Sequence, residues 1–174
     1  MYKKIVKMVK KNFFIIFIIF ISNSCTITYS TSGASISPDI KTVKIDYFKN
    51  QAQLINASLS QDFTEKLKEK FINETDLRVI DENGDLNFEG MIIEYSTTPM
   101  ASGRDEISSL NKLKITIKVT YTNEKDDTYN YDKSFSETGE YESSRSLEDV
   151  EDEIVPEILN KIIDKIFNES VANW

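Results

Sequence analysis

The strongest constraint in this chain is an alternation. Residues 112 to 121 read Lys-Leu-Lys-Ile-Thr-Ile-Lys-Val-Thr-Tyr. Leu113, Ile115, Ile117, Val119 and Tyr121 therefore face one way, and Lys112, Lys114, Thr116, Lys118 and Thr120 face the other, because successive strand side chains point to opposite sides. A strand with one oily side needs a cover. Two helical stripes can supply it. Leu59, Phe63, Leu67 and Phe71 fall four apart, and Ile154, Ile158, Ile162 and Ile166 do the same, with Leu159, Ile163 and Phe167 widening the second stripe.

The remaining elements follow from shorter patterns. Val43, Ile45 and Tyr47 alternate with Thr42, Lys44 and Asp46, which predicts a first strand within 40–48. The first helix is predicted over 58–73, capped by Ser58 or Ser60, with Asp62 in its first turn. Leu77–Asp81 and Leu86–Ser96 flank Asn83-Gly84, the commonest type I′ dipeptide, which predicts a hairpin. Gly90 separates two hydrophobic parities on the second arm, so a bulge or sharp twist is expected there. Residues 97–109 read as a polar loop, and Tyr129 to Phe135 as the return strand, with Tyr129, Tyr131 and Phe135 on one face. Ser146 is the expected cap of the last helix, in which Pro156 should cause a kink or start a second segment. The expected fold class is α+β, a two-layer sandwich. Two helices pack on one face of a four- to five-stranded mixed sheet, in the order β-α-β-β-β-β-α.

The amino terminus reads as an address. Five lysines and no acid precede an unbroken apolar run from Phe13 to Ile21, followed by Ser22-Asn23-Ser24 and Cys25. A basic stretch, a short apolar core and small residues make a secretory signal, and nine apolar residues are too few to span a bilayer. The chain then divides into a signal at 1–24, a Ser/Thr-rich tether at 25–38 and one domain at 39–174. The position of the only cysteine resembles the lipoprotein signal of bacteria, in which that Cys is acylated. Ser24 fits the small residue before it, while Ser22 stands where the usual Leu would be. Loss of the signal's lysines would carry the formal charge from −8 to near −13.

Composition excludes several chemistries. There is no histidine, so no His-based triad or general base exists, and one Cys cannot form an internal disulfide or a Cys/His zinc site. The acidic balance disfavours nucleic acid, whose phosphates need Lys and Arg. Asp81 to Asp85 lacks the Gly and Glu of a calcium loop. Ser109-Leu110-Asn111-Lys112 matches S-x-x-K but runs into a strand without the accompanying motifs. The acids between Glu137 and Glu153 read as a solvated face and a helix start. No cofactor is implied. One local feature points to binding: Lys44, Lys112, Lys114 and Lys118 fall on the uncovered sheet face and could meet the phosphates of an anionic glycolipid, or could simply keep that face soluble.

The whole mature chain resembles the LptE family of lipopolysaccharide-assembly lipoproteins in its Bacteroidota form. The resemblance rests on Gly33-Ala34-Ser35-Ile36-Ser37-Pro38-Asp39-Ile40-Lys41-Thr42-Val43, on Leu59-Ser60-Gln61-Asp62-Phe63-Thr64, on Gly84-Asp85-Leu86-Asn87-Phe88-Glu89-Gly90 and on the terminal Val171-Ala172-Asn173-Trp174. It implies an α/β sandwich with no enzymatic activity, anchored through Cys25 to the periplasmic face of the outer membrane. The implied partners are an LptD-like outer-membrane β-barrel, which it would plug and help assemble, and lipopolysaccharide. Thr26 is not the Asp that retains enteric lipoproteins at the inner membrane. A periplasmic lipoprotein serving envelope enzymes as scaffold or cofactor, or carrying a small ligand, is the other reading.

Overall fold

A computed structural model of the chain describes residues 36–54, 56–100 and 109–172. The signal segment 1–24, Cys25, most of the tether and Trp174 lie outside the described residues.

The elements are β1 (Thr42–Ile45), β2 (Lys49–Asn50), α1 (Leu59–Glu74), β3 (Arg78–Ile80), β4 (Leu86–Met100), β5 (Leu110–Asn123), β6 (Tyr131–Glu142) and α2 (Glu151–Phe167). The strands make one mixed sheet in the order β3-β1-β4-β5-β6, and β2 pairs with β4 beyond the end of β1. The expected α+β sandwich is the observed one. The alternation of residues 112–121 holds along β5, where Leu113, Ile115, Ile117 and Val119 are fully buried and Tyr121 nearly so. Register carries this face across the sheet: Phe88 lies opposite Tyr121, Ile92 opposite Ile117, and Phe135 beyond it.

Both helices cover that face. Leu59, Phe63, Leu67 and Phe71 of α1 are completely buried, as are Leu159, Ile162 and Ile166 of α2. A line of rings joins the layers, from Phe167 to Phe71 (5.2 Å), Phe88 (5.0 Å), Tyr121 (4.9 Å) and Tyr131 (5.1 Å) between centroids. Such spacings suit offset and tilted aromatic pairs. Lys70 ties the helices at their outer side, pairing with Glu74 at 2.6 Å and with Asp164 of α2 at 2.7 Å.

Five local expectations are corrected. First, 77–96 is not a hairpin. β1 lies between β3 and β4 and runs parallel to both. Asn83 does take a left-handed conformation, φ 52°, but the turn it serves crosses over β1 rather than folding back. Gly84 is needed there, because a Cβ would come within 2.6 Å of Lys44 N. Second, the bulge falls between Ile92 and Glu94, not at Gly90. Gly90 has a different duty: the Phe48 ring lies where its Cβ would be, at 2.6 Å. Third, the chain bends after β1, so Phe48 is buried and Tyr47 is 57% exposed. Fourth, β4 continues through Pro99 to Met100, pairing with β5 as far as Leu110. Proline is accepted because β2 ends at Asn50, opposite Ile92, and the rest of β4 has no second neighbour among the described residues. Fifth, Ser146 closes a turn with Asp149 through a 2.7 Å hydrogen bond, and α2 begins only at Glu151. Its helix runs unbroken past Pro156, which sits in the second turn where a single backbone bond is forgone.

Helix α1 also starts differently from expectation. Neither Ser58 nor Ser60 caps it with its side chain. Asn56 Oδ1 accepts from the N–H groups of Ser58 and Leu59, at 3.0 Å each, which is the role a short polar side chain plays at a helix entry.

Candidate docking face on the open side of the sheet

The side of the sheet away from the helices is polar and uncovered among the described residues. β5 contributes Lys112, Lys114, Thr116, Lys118 and Thr120 to it, β1 contributes Lys44, and β4 contributes Glu89 and Glu94. The three β5 lysines form one row. Lys44 stands apart: its register row runs through Asn87 to Thr122, about 10 Å across the sheet and about 13 Å along it from Lys118 at normal strand spacings.

Three of these lysines already have partners. Lys44 meets Asp46 at 2.9 Å, Lys114 meets Glu94 at 2.8 Å, and Lys118 meets Asp132 at 3.0 Å. The hydrogen bond from Lys114, with help from the Thr116 and Ser96 hydroxyls, lowers the pKa of Glu94. The hydrogen bond to Asp46 raises that of Lys44. Lys112 lies across from Glu140 in the ladder. The face is thus a lattice of alternating charges, and such half-exposed pairs open at little cost. Exposed Ile93, thrown outward by the bulge, adds an apolar side chain to it.

Two polar clamps fix the ends of the sheet, and the sequence reading identified neither. Asp85 Oδ2 accepts from the Lys41 and Thr42 N–H groups and from the Thr42 hydroxyl, at 2.9, 3.0 and 2.9 Å, while Lys125 meets its other oxygen at 3.1 Å. These donors, the Lys41 N–H foremost, hold its pKa down at about 2. The crossover, β1 and the β5–β6 turn are joined by this one carboxylate. At the other end Glu151, in the first turn of α2, accepts from Tyr95 Oη at 2.5 Å and from Asn56 Nδ2 at 3.1 Å. Burial, with Glu151 beside it, pushes the Tyr95 hydroxyl pKa up. The local signals for both clamps were absent, since each pairs residues more than forty positions apart.

Among the described residues no group of three or more His, Cys, Asp or Glu is placed to hold a metal ion, and no helix is long and apolar enough to cross a membrane.

Comparison with known proteins adds three findings. The model of the LptE lipopolysaccharide-assembly family matches residues 40–170. No curated protein sequence matches. Among solved structures, a hypothetical protein from Chlamydia trachomatis superposes with a TM-score of 0.51 at 12% identity, over 77% of this chain and 99% of that one. That likeness speaks for the fold. A minor lipoprotein from Acinetobacter baumannii gives a TM-score of 0.45 at 12% identity, covering 69% and 89%. Rare lipoprotein B from Shewanella oneidensis gives 0.39 at 10%, covering 74% and 90%.

Proposed function

The chain belongs to the LptE lipopolysaccharide-assembly family, and from that premise we propose that it is an outer-membrane lipoprotein subunit of the lipopolysaccharide translocon. The family is a non-enzymatic one, so the chain acts by binding. In this reading Cys25 carries the acyl chains, because it is the only cysteine and follows the basic and apolar segments of a secretory signal. Several chains on one residue give lasting attachment, where one alone is marginal. The anchored domain plugs and helps assemble an LptD-like β-barrel at the periplasmic face, and helps hand lipopolysaccharide to the outer leaflet.

The family match over 40–170 carries this proposal. Lys44, Lys112, Lys114 and Lys118 are its glycolipid contacts. The carboxylate partners of Lys44, Lys114 and Lys118 are half-exposed, and a phosphate group can replace a carboxylate as the partner of a lysine point charge.

Two measurements test it. Mass spectrometry of the membrane-extracted chain should find a diacylglyceryl group and an amide-linked acyl chain on Cys25, both lost in Cys25→Ala. Purified lipopolysaccharide should bind the wild-type domain, and binding should fall at least tenfold when the four lysines become Glu. An unmodified Cys25 refutes the anchor, and unchanged binding refutes the lysine contacts.

A further inference from the structure

The two edges of the sheet are built differently. β3 ends one side with three residues, too short to template another strand. β6 ends the other side with twelve, and among the described residues it pairs only with β5. A long unpaired edge presents a row of free N–H and C=O groups.

Which groups face outward can be read from the ladder. The Ser143 N–H donates to Ser109 O at 2.9 Å, one step beyond the pairing of Glu142 with Leu110. Antiparallel ladders alternate residues bonded to the neighbour with residues whose groups point away. The odd-numbered residues of β6 therefore bond to β5. Asp132, Ser134, Ser136, Thr138, Glu140 and Glu142 turn their backbone groups outward. Lys165 of α2 agrees with this: its Nζ donates to Ser136 O at 3.2 Å, capping one outward carbonyl while it also pairs with Glu137.

Charge selects the occupant. Lys133, Asp132 and Glu137 are engaged by Glu169, Lys118 and Lys165. Glu140 stands across the ladder from Lys112 without forming an ion pair with it, and Glu142 has no cationic partner among the described residues, so the charge left free at this end of the edge is negative. A second copy is a poor fit. The two longest face-matched antiparallel pairings of β6 with itself set Asp132 against Glu140 or Glu142, between chains of formal charge −8.

We propose that the outer edge of β6 docks an extended lysine- or arginine-bearing segment of another protein, which adds a strand to the sheet. Lys165 guards this edge, and an incoming backbone N–H takes over Ser136 O. The proposal is independent of lipopolysaccharide binding and of the anchor.

The test uses the full chain in detergent, with a capped eleven-residue peptide alternating Lys and Thr as probe and its Glu-Thr counterpart as control. Amide exchange of Ser134, Ser136, Thr138 and Glu140 should slow at least threefold with the Lys peptide and not with the Glu peptide. Thr138→Pro removes one outward N–H without touching the β5 ladder and should abolish the protection; Ser134→Pro is the second such variant if the first does not fold. Lys165→Ala should strengthen it. No protection in either wild type or Lys165→Ala overturns the proposal. Equal protection by the Glu peptide overturns the charge argument, and concentration-dependent protection without peptide shows that a second copy is the occupant instead.

Discussion

One strand, β5, serves two opposite environments, and the difference between its sides explains how the domain is built. Its covered side, Leu113 to Tyr121, lies wholly inside the core. Its open side carries lysines and threonines, and Lys114 and Lys118 make half-exposed ion pairs with β4 and β6. Burial of apolar area stabilises by roughly 25 cal/mol per Å², while an exposed ion pair contributes about 0–1 kcal/mol. Stability therefore resides on one side, and the other is free to be shaped by what it meets.

That contrast fails if substitutions on the two sides have similar effects. Phe71→Ala removes the ring that touches both Phe88 and Phe167, and should lower the unfolding free energy by about 3–5 kcal/mol in a urea titration. Gly90→Ala drives a methyl group into Lys118 O and the Phe48 ring, and should cost about 1–3 kcal/mol through overpacking; the Phe48 and Phe63 rings, whose centroids are 4.9 Å apart, should separate, which NMR would detect. Tyr95→Phe strips the phenol from Glu151 and should cost about 1–2 kcal/mol.

Asp85 sharpens the comparison, since it is a charge that does contribute. Its folded pKa, about 2, is below the ordinary value of 3.8. Its stabilisation is therefore complete above about pH 4 and is lost as the pH falls from 3.8 towards 2. After allowance for solvent screening this is about 1 kcal/mol. Asp85→Asn should lose that amount at pH 7 and flatten the acid limb of the stability profile in that window. Lys118→Ala, on the open face, should shift the midpoint least, by under about 0.5 kcal/mol.

The same contrast marks what the sequence made legible. The α1 stripe, the α2 stripe and the β5 alternation are local periodicities, and each appears where it was expected. The helix caps were misread locally, because several neighbouring polar side chains compete for each helix entry; the misreadings within the sheet are non-local. Asn83-Gly84 carries the chemistry of a hairpin turn, yet β1, forty residues earlier, occupies the place of its partner strand. Gly90 marked an irregularity on β4, but its missing side chain makes room for Phe48, and the bulge falls three residues on. Pro99 reads as a loop residue only if the neighbouring strand is unknown. Of the candidate face, the lysines were visible in the alternation. Their carboxylate partners Glu94 and Asp132, like the Asp85 and Glu151 clamps, needed the register.

The most direct test of the account is the company the chain keeps in its own membrane. A tagged full-length chain, expressed at natural levels and extracted with mild detergent, should co-purify with a large β-barrel protein in equal amount and with bound lipopolysaccharide. Recovery of the chain alone, free of both, would contradict the proposed role in the translocon.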